Sequence, residues 1–278
     1  MDFLPLAPAG STPVRVLTIA GSDSGGAAGL QADMRTFALL GVHGLTAVTA
    51  VTVQNSLGVA DFHEIPAGIV TGQIKAVATD IGLQGAKTGL LASVEIIEAV
   101  AECWSALALG ATTPFVVDPV CASMHGDPLL PVAALEALRT RLFPLASLIT
   151  PNLDEVRLLV GIDVVDTATQ RDAARALHAL GPRWALVKGG HLRAAPNSVD
   201  LLFDGEDFHE FAAPRLDTRH DHGAGDTLAA ATTCALAYGY GMAEAVGFGK
   251  AWVTECLRAS YPLGAGHGPV SGLFRLRG

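Results

Sequence analysis

The 278-residue sequence has no run of basic residues: 18 Lys plus Arg stand against 27 Asp plus Glu, a formal net charge of −9. That deficit argues against nucleic acid and anionic membrane as partners. Cysteine is scarce and dispersed, at Cys103, Cys121, Cys234 and Cys256, with no C-x-x-C pair and no metal-type spacing. Reduced thiols in a cytoplasmic protein are the expectation. No basic segment precedes an apolar core at the start, so no signal peptide is read there. The two uncharged stretches, 36–60 and 227–243, are interrupted by Gly41, His43 and the Gln54-Asn55 pair or by Thr232, Thr233 and Gly239. Neither reads as a membrane span. Domain linkers, internal repeats and low-complexity tracts are absent as well.

What is present is a regular alternation of short β-branched runs and helical patterns. Strands are expected at 14–20, 45–53, 85–90, 115–117, 148–149 and 184–187, and helices at 29–40, 67–80, 93–109, 131–143, 167–180, 227–238 and 243–260. Alternation on this scale predicts an α/β fold, a doubly wound, mostly parallel sheet with helices on both faces. The runs at 199–203 and 208–211, divided by Asp204-Gly205-Glu206-Asp207, predict a hairpin. Residues 1–13 read as a flexible, Pro-rich segment before a single domain over 14–278.

The chemistry centres on His222-Gly223-Ala224-Gly225-Asp226-Thr227, a glycine-rich turn running into a helix. Successive N–H groups there can converge on an anion, assisted by the helix dipole. Asp226 beside such a site suits a base that takes a proton from an attacking alcohol, with a simple helix cap as the bland alternative. A second Gly-rich loop, 21–26, lacks the Gly-Lys-Ser/Thr ending of a Walker A loop and has Asp23 at the second glycine of G-x-G-x-x-G. It is a weak phosphate candidate. In the following helix Gln31 and Asp33 lie where side chains can enter a cleft, although solvation also accounts for Gln31. Gln54, at a strand end, offers an amide that matches the ring nitrogen and amino group of a heterocycle, or simply begins a turn. Asp118 and Glu155 at neighbouring strand ends could share a magnesium ion or cap helices, and Lys188 is a candidate phosphate contact.

Taken together, Gly21-Ser22-Asp23, Gln31-Ala32-Asp33, Gln54-Asn55, Lys87-Thr88-Gly89, Asp118-Pro119-Val120, Thr150-Pro151-Asn152 with Glu155, Lys188-Gly189-Gly190-His191 and Gly223-Ala224-Gly225-Asp226-Thr227 occur in an order that resembles the hydroxymethylpyrimidine (phosphomethylpyrimidine) kinases of the ribokinase-like superfamily. The resemblance implies a homodimer that transfers phosphate from ATP, with Mg2+, to 4-amino-5-hydroxymethyl-2-methylpyrimidine and then to its monophosphate in thiamine biosynthesis. By position it implies that Gln54, Gly21, Ala28, Asp33, Leu90 and Val120 line the substrate pocket. Asn152, Lys188 and Thr218 fall on the nucleotide side, Asp118 and Glu155 at the metal, and the backbone of Gly223, Ala224 and Gly225 with Asp226 at the anion hole and base. Two departures stand out: Asp226 replaces the family's usual cysteine, and Met124, next to His125, replaces a common lysine. A pyridoxine or pyridoxal kinase of the same fold, or an idle pyrimidine- or nucleotide-binding regulator, are the alternatives; a nicotinamide-dependent oxidoreductase is disfavoured by the missing glycine fingerprint.

Overall fold

A computed structural model describes residues 3–122, 129–190, 192 and 196–276. Strands β1 (Arg15–Ser22), β2 (His43–Asn55), β3 (Gly58–Glu64), β4 (Gly85–Thr88), β5 (Phe115–Val117), β6 (Leu148–Ile149), β7 (Ala185–Val187), β8 (Asn197–Phe203) and β9 (Phe208–Pro214) form one sheet in the order β3-β2-β1-β4-β5-β6-β7-β8-β9. Pairing is parallel from β2 through β7 and antiparallel at both margins. The helices are α1 (Gly29–Leu39), α2 (Ala67–Asp80), α3 (Val94–Ala106), α4 (Val132–Ala137), α5 (Leu153–Val160), α6 (Thr167–His178), α7 (Ala224–Ala237) and α8 (Met242–Arg258).

Alternating strand residues feed two cores, as a sheet covered on both faces requires. Phe115 and Val117 join the layer that includes Ile96, Val100 and Leu177, whereas Val116 joins Phe37, Cys234 and Trp252. On the second face α7 lies closest to the strands. A Cβ at Gly85 of β4 would come within 3.1 Å of Ala237 and 3.3 Å of Thr233, and residues 227–236 of α7 are all buried. A helix rich in Ala, Thr and Gly can sit that close because small side chains face the strand there.

The expected alternation is observed, with three differences. The polar end of β2 does not close the strand's role: Gly58–Glu64 folds back as β3, pairing antiparallel from Ala50↔Glu64 to Asn55↔Gly58. Its sequence, GVADFHE, has no clean two-residue alternation, and almost all of it is exposed. The helix expected over 131–143 is α4 followed by a π-helical turn at Leu138–Leu142 and a 3-10 turn at Phe143–Leu145, where Pro144 interrupts regular bonding. Residues 3–13 carry no helix or strand, yet Leu4 is buried and the Tyr238 hydroxyl donates to the Pro5 carbonyl at 2.8 Å.

The order reverses between β1 and β4, whose immediate sequence neighbours run to opposite sides of the sheet. In a doubly wound sheet this is where the crevice at the carboxyl ends of the strands opens. The ends of β1, β4, β5, β6 and β7 and the start of α7 all meet there.

Candidate active site

Gly223 precedes α7 with φ +78°, a left-handed conformation that glycine adopts without strain, and a Cβ there would collide with the Ala27 carbonyl oxygen. Only glycine lets the start of α7 lie against the loop before α1. Within the first turn, the Ala224 N–H donates to the Asp221 carbonyl at 3.1 Å. Helix geometry leaves the N–H groups of Gly225 and Asp226 without carbonyl partners. The cradle at 223–226 thus consists of the Gly225 and Asp226 amides rather than the whole stretch. Asp226 makes no capping hydrogen bond. Instead its Oδ1 lies 3.8 Å from the Nζ of Lys87.

Lys87 is fully buried on β4. It pairs in register with Thr18 of β1, so both side chains project toward α1 and α7. Asp33 of α1 meets them, its Oδ1 2.8 Å from Lys87 Nζ and its Oδ2 accepting the Thr18 hydroxyl at 2.6 Å. Burial raises the Asp33 carboxyl from 3.8 to about 6, with the Lys87 ammonium working against that rise. Burial pulls Lys87 down, but Asp33, Asp226 and Asp118 outweigh it and hold the ammonium above its ordinary range. Lys87 therefore stays charged, between one carboxylate sealed in the core and one at the cleft.

The second charged group sits at the ends of β5, β6 and β7. Asp118 Oδ1 accepts from Thr150 Oγ1 at 2.9 Å and pairs with Lys188 Nζ at 3.0 Å. The same Nζ lies 3.1 Å from where a Cβ on Gly225 would be, which puts the ammonium beside the amide cradle. A Cβ at 225 would crowd that ammonium. Burial opposes the charge on Lys188, but Asp118 and Glu155 prevail and keep it protonated. Glu155 and Asn152 form a reciprocal cap on α5: the Asn152 N–H donates to Glu155 Oε2 at 2.7 Å and the Glu155 N–H to Asn152 Oδ1 at 2.9 Å. Burial pushes the Glu155 carboxyl up to about 8, Lys188 opposing and Asp118 adding to the rise. The cap uses one oxygen of Glu155 only. Each of Asp118 and Glu155 keeps a second oxygen with no partner among the described residues, a donor set that fits a hard divalent cation completing its shell with water and phosphate. No cluster of three or more His, Cys, Asp or Glu occurs among the described residues.

Around the other side of α7's start, the Gln54 amide spans from Thr52 Oγ1, at 3.1 Å, to His222 Nε2, at 3.3 Å. A register shift between Val53 and Gln54 re-aims the side chain, and Ser24 pins the Gln54 backbone at both N–H and carbonyl. Gly21 lies against Leu90, with room for a Cβ at 3.6 Å, and the Leu90 carbonyl accepts the Thr49 hydroxyl. Ala28 stands before α1 and near Gly223. Gln54, Gly21, Ala28, Leu90 and Asp226 thus gather around the start of α7, whereas Asp33, expected to line the pocket, is fully buried and held by Lys87 and Thr18. Val120 is half-buried two residues beyond Asp118, and its N–H is returned to the Asp118 carbonyl. The Thr218 hydroxyl lies 3.2 Å from Ser260 Oγ, just beyond α8.

Two further expectations need correction. The loop at 21–26 is no open phosphate cradle, because the buried Asp23 carboxylate already accepts from the Gly25, Ala27 and Ala28 amides at 2.7, 2.9 and 2.9 Å. An internal anion occupies the nest that phosphate would need. Gln31 does not enter the cleft: its Oε1 accepts the Asp23 N–H and its Nε2 donates to Ser22 Oγ. Met124, His125 and His191 lie outside the described residues.

Sequence reasoning assigned no part to Lys87, Thr18, Asp23, Thr52 or His222. Lys87 carried a usable signal, since a lysine within the apolar run GAKTGLL has to be buried and therefore paired. His222 carried none, its contact with Gln54 spanning 168 positions, whereas Asp23 bonds amides only two to five residues ahead.

The sequence model of the phosphomethylpyrimidine kinase family matches residues 23–271. A hydroxymethylpyrimidine/phosphomethylpyrimidine kinase of Mycobacterium leprae is 70% identical over 99% of both chains. One of Streptomyces coelicolor is 54% identical over 93% of this chain and 94% of the relative. Among solved structures, an ADP complex of Bacillus subtilis pyridoxal kinase superposes with a TM-score of 0.88 at 35% identity, covering 96% of this chain and 99% of the other. A phosphomethylpyrimidine kinase from Clostridium difficile superposes with a TM-score of 0.77 at 37% identity, over 87% and 98%.

Proposed function

Because the chain belongs to the phosphomethylpyrimidine kinase family, we propose that it phosphorylates 4-amino-5-hydroxymethyl-2-methylpyrimidine and then its monophosphate from ATP, as a step of thiamine biosynthesis. The observation that carries the reading is the convergence, at one helix start, of a partly exposed carboxylate, two amides with no partner among the described residues and the buried ammonium that faces that carboxylate. Asp226 is the base: it accepts the proton of the substrate hydroxymethyl group as that oxygen attacks the γ-phosphorus. The Gly225 and Asp226 amides, at the positive end of α7, receive the charge that develops on the transferred phosphoryl group. Lys188, beside Gly225, serves the phosphates from the other side, and Asn152 and Thr218 belong to the nucleotide side of the cleft.

Asp118 and Glu155 would hold Mg2+ through their second oxygens, the ion supplying charge neutralisation for the phosphates. Gln54 hydrogen-bonds the pyrimidine, with Gly21, Ala28, Leu90 and Val120 around it, and Asp33 acts from behind through Lys87. The enzyme works as a homodimer, for which the exposed Val51 and Val53, alternate residues on one face of β2, provide apolar surface. Four unpaired, buried cysteines agree with a cytoplasmic location.

A second reading, pyridoxal kinase activity, is favoured by the TM-score of 0.88 against the B. subtilis enzyme. One experiment separates the two: mass spectrometry of products from ATP, Mg2+ and each of hydroxymethylpyrimidine, its monophosphate and pyridoxal. Mono- and diphosphate of the pyrimidine are expected; phosphorylated pyridoxal alone would replace the first reading by the second, and no product would leave a binding protein.

A further inference from the structure

Gln54 is held in one of two isosteric amide orientations, and the surrounding hydrogen bonds decide which. Thr52 Oγ1 lies 2.9 Å from the Ser22 carbonyl, an acceptor that only a hydroxyl proton can satisfy. A threonine hydroxyl has one proton. As placed, the Gln54 amide turns Oε1 to Thr52 Oγ1 at 3.1 Å and Nε2 to His222 Nε2 at 3.3 Å, an assignment that only the surrounding hydrogen bonds decide, and with the Thr52 proton on Ser22 that carbonyl meets a lone pair. An amide carbonyl facing that lone pair would be repelled; an amide NH2 would donate to it.

The other end of the amide gives the same answer. His222 Nε2 is 3.3 Å from the amide and 4.0 Å from Oδ2 of the buried Asp23 carboxylate. Beside a carboxylate, a ring nitrogen bearing a hydrogen is favoured over a bare lone pair. That hydrogen points to the amide as a donor, and the amide must then show it the carbonyl oxygen.

We propose that His222 is a positioning residue for substrate selection: its Nε2–H, with the Thr52 lone pair opposite, locks Gln54 with Oε1 toward His222 and Nε2 toward Thr52. The consequence follows from counting. An amide has two donors and two lone pairs; Thr52 and His222 take one of each, leaving one donor on the Thr52 side and one acceptor on the His222 side. A heterocycle with a ring nitrogen next to an exocyclic amino group matches that pair in a single direction, the ring nitrogen toward Thr52 and the amino group toward His222. Pyridoxal has a methyl group rather than an amino group beside its ring nitrogen, so it lacks the adjacent acceptor and donor and leaves part of the amide unpaired. The assignment rests on the proposed role of Gln54 in binding the pyrimidine.

The test has two arms on the full-length protein. Long-range 1H–15N correlation of the histidine rings at about pH 8.5, where a histidine is ordinarily neutral, should show His222 with its hydrogen on Nε2, the signal identified by its loss in His222→Phe. A hydrogen on Nδ1 with bare Nε2 overturns the proposal whatever the substrate proves to be. In the kinetic arm, His222→Phe should raise KM for hydroxymethylpyrimidine about tenfold, far more than it alters kcat, and narrow the preference over pyridoxal. Thr52→Val, which removes the lone pair, should act in the same direction, while Thr52→Ser retains the wild-type KM. Unchanged KM in both folded variants, His222→Phe and Thr52→Val, also overturns it. Absence of any pyrimidine product from the wild-type enzyme would instead overturn the kinase reading, with the ring tautomer still deciding the lock.

Discussion

Replacing Lys87 by methionine tests the buried charge group most directly. Methionine has nearly the same length, so the change removes the ammonium without opening a large cavity. Asp33 would then be left as a carboxylate with no exposure and only the Thr18 hydroxyl as partner. Removing one member of a buried ion pair typically costs about 3–5 kcal/mol. The pH dependence has a definite sign. Because the Asp33 carboxyl titrates at about 6 in the folded protein, above its ordinary 3.8, the folded state binds the proton more tightly than the unfolded chain. That contribution to stability is complete below pH 3.8 and is lost as pH rises to about 6, a difference of about 3 kcal/mol. At pH 8 Asp33 is ionised and depends on Lys87; at pH 5 it is largely protonated and does not. Urea unfolding of Lys87→Met should therefore show a loss of about 3–5 kcal/mol at pH 8 and a much smaller one at pH 5. The double variant Lys87→Met/Asp33→Asn should recover most of the loss at pH 8. A loss below about 1 kcal/mol, or the same loss at both pH values, would refute the claim that the two charges sustain each other.

Asp226→Asn, which keeps the shape and removes the base, should lower kcat by about 10²–10⁴ with KM for the pyrimidine little changed, read from steady-state kinetics. Gly223→Ala forces a Cβ onto the Ala27 carbonyl at φ +78° and should destabilise the fold by at least about 1–2 kcal/mol in urea unfolding, together with loss of turnover. Chelation with EDTA should abolish product formation and added Mg2+ restore it, while Glu155→Gln should raise the Mg2+ concentration needed for half-maximal rate. Val53→Glu, on the outer face of the hairpin, should shift the protein toward monomer in light scattering without changing its circular dichroism spectrum.

Much of the architecture was legible along the chain. Buried parallel strands advertise themselves as apolar runs, and the helices between them repeat at their own period, so the layered α/β order followed from local pattern. Gly223 and Gly225 were legible for a similar reason, since glycine before a helix marks a backbone need that lies within a few residues. Strand β3 escaped because it is exposed on nearly all its length and so lacks the alternation that marks a half-buried strand. The loop at 21–26 was misread because a glycine-rich turn shows that amides can converge but not what they converge on. Asp23 supplies that anion from within.

The sequence by itself determined the fold class, the anion-binding helix start, and the presence of carboxylates at strand ends, each a property of neighbouring residues. Tertiary structure alone decided the partnerships. Thr18, Asp33, Lys87 and Asp226 are spread over more than two hundred positions, and only the register of β1 against β4 with α1 and α7 laid across them closes the charge group. The same holds for Gln54 and His222, 168 residues apart. Their contact depends on a bulge in one strand and on the approach of α7's first turn to the loop before α1. Hydrogen bonds and buried ion pairs act over a few ångströms, so their existence is set by where the chain returns to, which no local pattern encodes.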